Sequence, residues 1–172
     1  CVNFVNTIDR DVNVSYRIHV AGNKVISGYG RVVSKDNWLA ITAGSFRPEQ
    51  IDNWVYYNKL CEQLMREREE EIVKAVHSLQ LNHQGVDVVM DEDTKELCFL
   101  EVQPTYASGY PQVGWCGYHP PFYNPSDPNL VMFLQQNKSV LEKEIPMYYN
   151  NWLDKNNHFD LVYKELKEYV RS

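Results

Sequence analysis

The chain has 172 residues, 44% hydrophobic and 23% charged, enough apolar material for one sizeable domain core. Its net charge of −6 argues against a general nucleic-acid binder, which would carry a basic stripe. Four cysteines (Cys1, Cys61, Cys98, Cys116) lie too far apart for a CxxC or paired-metal pattern. No apolar run approaches the ~20 residues of a membrane span and no signal-peptide pattern is read, so reduced thiols in a cytoplasmic setting are the expectation.

In chain order, Cys1–Val5 is already strand-like. Ser15–Val33 then reads as a hairpin, two alternating runs around a Gly-Asn turn with Gly22-Asn23-Lys24 as its loop. Its parity puts Arg17, His19, Ser27, Tyr29 and Arg31 on one face. The other face receives Tyr16, Ile18, Val20, Ile26, Gly28, Gly30 and Val32. Two arginines on one sheet face suit bidentate contact with phosphate or carboxylate.

A helical region follows, with Pro48 suited to a first helical position. From Asn58 to Leu81, apolar residues at Leu60, Cys61, Leu64, Ile72, Val73, Val76, Leu79 and Leu81 recur near the helical period. Arg66–Glu71 reads as a solvated, highly charged turn, and His77 and His83 as cap or surface histidines.

Gly85–Pro104 reads as a second hairpin, with strands Val86–Met90 and Leu97–Val102 around an acidic turn. Folding it about Thr94 predicts the pairs Asp87/Glu101, Val89/Phe99 and Asp91/Leu97. It also predicts an opposite, wholly apolar face of Val86, Val88, Met90, Cys98, Leu100 and Val102, so Cys98 reads as a small buried hydrophobe. Asp87 and Glu101 then stand with Cβ atoms ~5 Å apart, an arrangement that destabilises a sheet unless something cationic balances it. Gln103 adds a third oxygen on the same face, and two carboxylates with a neutral oxygen suit Mg²⁺ when nucleotide phosphates complete its shell.

The order of these motifs resembles the ATP-grasp ligases. Gly85-Val-Asp87, the acidic turn and Leu100-Glu-Val-Gln-Pro104 are similar to that family's metal-binding hairpin, whose Asp, Glu and Asn hold the magnesium of Mg-ATP. By position these are Asp87, Glu101 and Gln103, with Gln a departure whose extra methylene moves the amide oxygen. The earlier hairpin resembles the family's arginine strand pair, in which Arg17 and Arg31 would contact phosphates or the acyl-phosphate intermediate. Asn3, Phe4 and Val5 occupy the place of the hinge against which adenine lies, and Ser108-Gly109-Tyr110 that of an acceptor-site loop. The resemblance implies ATP and Mg²⁺ as cofactors, and small-molecule or peptide carboxylate and amine substrates. Net charge and the lack of a long apolar run set the further expectation of no nucleic acid and no membrane.

The expected fold is therefore α+β, an ATP-grasp-like antiparallel sheet backed by helices. Residues 1–125 would form the C-terminal lobe of an ATP-grasp domain, its N-terminal lobe supplied by the same or another chain. Residues 126–172 would be a helical appendage, with Asp127 capping a helix, Pro146 interrupting, and Phe159, Leu161, Val162, Leu166, Tyr169 and Val170 marking a last amphipathic helix. The expected reaction is amide formation through an acyl phosphate. Two other readings stand beside it: an inactive ATP-grasp-like module that binds peptide or protein, and a hydrolase using Asp87 and Glu101 as acid and base. Taken singly, each hairpin also reads as ordinary solvated sheet; the combination in this order is more specific than either.

Overall fold

A computed structural model describes residues 6–34, 51–103, 132, 135–153 and 155–172. The described part is α+β, as expected. An antiparallel sheet runs in the order β3 (Lys24–Ser34), β2 (Val12–Ala21), β4 (His83–Met90), β5 (Leu97–Gln103). The two-residue β1 (Ile8–Asp9) pairs with the start of β2. Helices α1 (Ile51–Glu67) and α2 (Glu69–His77) separate the two hairpins, and α3 (Lys138–Glu144), a π-helical segment (Met147–Leu153) and α4 (Lys155–Arg171) follow. Among the described residues no helix is long and apolar enough to cross a membrane.

The strands follow from period-two patterning. Val12, Val14, Tyr16, Ile18 and Val20 alternate along β2 and enter one large core. Opposite them lie Tyr57, Cys61, Leu64 and Met65 of α1, spaced i, i+4, i+7, i+8, with Ile72, Val73 and Val76 of α2. Leu141 of α3, Ile145 just beyond its end and Tyr148 of the π-helix join it. The region expected as one helical run is two helices, broken at Arg68, whose backbone leaves the helical well at φ −119°, ψ 21°. The break lets Glu69 turn back on the first hairpin, where its carboxylate accepts from the Val25 amide at 3.0 Å. The acidic run Glu69–Glu71 then occupies the first turn of α2, where the helix dipole favours negative charge.

Two buried polar side chains of α1 finish the edges of this layer. Asn58 Oδ1 accepts from the amide of Gly30 on edge strand β3 at 3.0 Å. Glu62, 1% exposed, accepts from the Tyr148 amide at 3.0 Å and so anchors the π-helix after Pro146. Burial pushes the Glu62 carboxyl upward, and its backbone donors oppose that shift. Helix α1 approaches β3 closely because Gly28 and Gly30 carry no side chain. A Cβ on Gly28 would stand 2.6 Å from Met65 Sδ and 2.9 Å from the Arg17 carbonyl oxygen. Gly28→Ala is therefore expected to lower the urea midpoint by the equivalent of about 1–3 kcal/mol, with an unchanged m-value. The methionine can move, but the backbone carbonyl cannot.

Both hairpins depart from their predicted registers at a bulge. In the first, Ala21 pairs directly with Lys24, so the turn is the two residues Gly22-Asn23, and Gly22 adopts φ +56°. A register shift between His19 and Val20 pairs Val20 with Val25 and moves Ile26 off the main core. Ile26 joins a separate small cluster with Ala21 and Val162. In the second hairpin Asp87 faces Glu101 as expected, but the next pair is Val88 with Phe99. The predicted pairs Val89/Phe99 and Asp91/Leu97 give way to Val89/Cys98 and Met90/Leu97. Leu100 is the extra residue and is 61% exposed, while Leu97 and Phe99 pack on the core in place of Leu100 and Cys98. Cys98 is only half-buried. The Asp91–Glu96 turn closes with the Asp91 amide on the Glu96 carbonyl at 2.9 Å and Asp91 Oδ1 accepting from the Asp93 amide at 2.9 Å.

Candidate functional site

The sheet's second face is polar, and the register lays it out in rows. One row across the sheet is Tyr29, Arg17, Asp87, Glu101, taken in order from β3, β2, β4 and β5. The next is Ser27, His19, Gly85, Gln103. Arg31, two residues beyond Tyr29, shares this face. The two hairpins, one ending at Ser34 and the other beginning at His83, thus bring all four predicted charged side chains together.

Arg17 is fully buried. Its Nη2 donates to Asp87 Oδ2 at 2.8 Å and its Nε lies 2.5 Å from Oδ1. Arg31 Nη1 adds a second guanidinium at 3.2 Å from Oδ2. The cation that the Asp87/Glu101 pairing demands is thus supplied by the protein itself. Arg17 can lie flat across β4 because Gly85 has no side chain: a Cβ there would be 3.1 Å from Arg17 Nη1 and 3.5 Å from His19 Cδ2. Tyr29, also fully buried, carries the Arg31 guanidinium 5.8 Å from its ring centroid. Burial raises the Tyr29 hydroxyl pKa, and the two arginines oppose it.

His19 is fully buried, with Nδ1 2.8 Å from Ser27 Oγ. Its pKa is driven well below 6.5, first by burial and then by His158, Arg17, Arg31 and His83. His83, expected as a cap or surface residue, is the first residue of β4, half-buried, and burial lowers its pKa to about 4. His77 is half-buried and its Nε2 donates to the Gly22 carbonyl at 3.0 Å.

Of the predicted site residues, the structure brings together Arg17, Arg31, Asp87 and Glu101. Gln103 is placed by its backbone opposite Gly85, one row along from Glu101. Asn3, Phe4, Val5, Ser108, Gly109 and Tyr110 lie outside the described residues, as do Pro48 and Asp127. Sequence reasoning put His19, Ser27 and Tyr29 on this face without giving them a role. It missed His158, which reaches the face from α4, because a histidine in an amphipathic helix carries no signal for the strand it will meet.

The donor set can be tested against Mg²⁺. A carboxylate has about four lone-pair sites; the arginines donate twice to Asp87 Oδ2, while Arg17 Nε lies against Oδ1 as an ion-pair contact and not a hydrogen bond. Asp87, its side chain 11% exposed, therefore has room for a metal only at Oδ1, beside the Arg17 guanidinium. Glu101 is exposed beside it. Mg²⁺ usually takes one or two protein carboxylates and completes its shell with water and phosphate oxygens, so exposed Glu101 is the stronger candidate ligand; among the described residues no group of three or more His, Cys, Asp or Glu side chains could hold a metal ion. No protein-family model, curated protein or solved structure matches the chain.

Proposed function

We propose that this chain is the C-terminal lobe of an ATP-grasp carboxylate–amine ligase. One observation carries the reading: two hairpins far apart in sequence set Arg17, Arg31, Asp87 and Glu101 side by side on one sheet face. In this reading Glu101, with Asp87 and Gln103, holds the Mg²⁺ of Mg-ATP, which would neutralise charge on the transferring phosphoryl group. Arg31, with 17% of its side chain exposed, is the guanidinium that meets phosphate. Arg17 is wholly buried and acts by holding Asp87 in place. A carboxylate substrate takes the γ-phosphoryl group of ATP and an amine then displaces phosphate, leaving an amide, ADP and phosphate. Asn3–Val5 and Ser108–Tyr110 are proposed for adenine and acceptor by resemblance alone.

A second reading, a binding module without turnover, is favoured by the two guanidinium groups already on Asp87. The hydrolase reading is weakened by the same contacts, because the Asp87 carboxylate is already engaged by two guanidinium groups and is not free to face a substrate. The test is ADP release by the full-length protein with Mg²⁺, across pools of amino acids and short peptides. Release that requires both Mg²⁺ and a particular pool supports the ligase. Failure to bind nucleotide while binding a peptide pool would turn the assignment to the module.

A further inference from the structure

The C-terminal segment lies on the same polar face as His19, and among the described residues its apolar seat is small. That seat is the cluster of Ala21, Ile26 and Val162, with Leu166 against it, set apart from the main core. Gly22 brings the first hairpin's turn against α4: a Cβ there would be 2.8 Å from the Glu165 carbonyl oxygen and 2.9 Å from Tyr169 Cβ. Asn151, in the π-helix, donates to the Ile26 carbonyl at 2.9 Å. The outer side of α4 is wet, with Phe159, Tyr163 and Val170 exposed. A helix with so small a dry seat is a low-stability unit that can open without the sheet.

The polar contact between this helix and the site face is a histidine pair. His158, 1% exposed, packs its ring edge-on against His19 with centroids 5.6 Å apart. Its Nδ1 donates to the Asn151 carbonyl at 3.1 Å, which fixes the ring. The charged and titratable groups facing the pair are Arg17 from β2, Arg31 from β3 and His83 from β4. From α2, His77 lies against Tyr169 with ring centroids 5.6 Å apart. Asp87, the nearest carboxylate in the row, is engaged by both arginines. On α4 itself Glu165 contacts Lys164 and Asp160 is exposed. A proton added to His19 therefore enters a buried seat faced by two arginines, and one added to His158 a buried seat faced by His83.

We propose that α4 is an acid-released cover: seated through His158 on His19 at neutral pH, it detaches on acidification and uncovers the His19 end of the polar face while the sheet stays folded. The sign follows from linkage. Burial holds His158 near 4 when docked, whereas an undocked histidine titrates near its ordinary 6.5, so the undocked state binds more protons between those values. Docking is complete above that window and weakens as pH falls through it. Between pH 7 and pH 5, His158 alone favours the undocked helix by roughly 20-fold. His19 and His83 titrate in the same direction. The inference does not depend on the ligase reading.

Hydrogen–deuterium exchange of the full chain at pH 7 and pH 5, corrected for the intrinsic rate at each pH, tests it. The expected result is a loss of protection of about 20-fold or more over residues 155–171 at pH 5, with β2 and β4 amides unchanged. His158→Phe is expected to keep α4 protected at both pH values, with His158→Gln as a second non-titrating variant should the larger ring fail to seat. Equal protection of α4 at the two pH values, or loss of α4 and the sheet in one step, overturns the proposal. So does a seated variant whose acid response matches the wild type; the wild-type comparison decides even where a variant does not seat.

Discussion

Arg17→Met is expected to cost about 3–5 kcal/mol of unfolding free energy, and Asp87→Leu a similar amount, because each leaves a buried charge without its partner. Arg17 is fully buried and Asp87 is 8% exposed, so neither charge can relax into water. The double variant Arg17→Met/Asp87→Leu is expected to recover most of that loss, since it removes both desolvated ions at once. Arg31 limits the recovery: it also loses Asp87, but its partial exposure allows it to rehydrate. Equilibrium urea unfolding of the four proteins gives the coupling energy directly. A coupling below about 0.5 kcal/mol would mean that the 2.5 and 2.8 Å contacts do not hold the sheet together. The double variant also separates folding from chemistry. It restores the fold with no charge in that row except Glu101, so under the proposed function it stays inactive.

Glu101→Gln is the converse case. Glu101 is exposed on β5, so its melting temperature is expected to stay within the range of a surface change, about 0.5 kcal/mol. Loss of the ligand that the donor count favours is expected to lower substrate-dependent ADP release by about 100-fold or more. Raising Mg²⁺ tenfold should recover part of the rate if the residue binds the ion. Wild-type turnover in Glu101→Gln would remove Glu101 from the site. Unfolding of the variant would instead make it part of the same structural network as Asp87.

Comparison of the two hairpins explains why so much of the site was legible beforehand. Period-two alternation dictates which residues share a face, and parity placed Arg17 with Tyr29 and Arg31, and Asp87 with Glu101, where the structure has them. What parity does not encode is a bulge. Leu100 and Ile26 were both assigned to the large core, and each leaves it where one extra residue flips the strand beyond it. The break at Arg68 was hidden for a related reason, since apolar residues on both sides keep the helical period.

By itself, then, the sequence determined the α+β class, the two hairpins and the residues that each would present on its polar face. These are local properties, set by side-chain period and turn chemistry. Tertiary structure alone decided that β2 pairs with β4, and hence that Arg17 neutralises Asp87. It also decided that Glu62 and Asn58 are buried acceptors, and that His158 of α4 seats on His19. Each of those contacts joins residues between 28 and 139 positions apart, as the numbering shows. Such contacts form when whole elements bury apolar area together, and no local pattern specifies which polar groups that packing brings face to face.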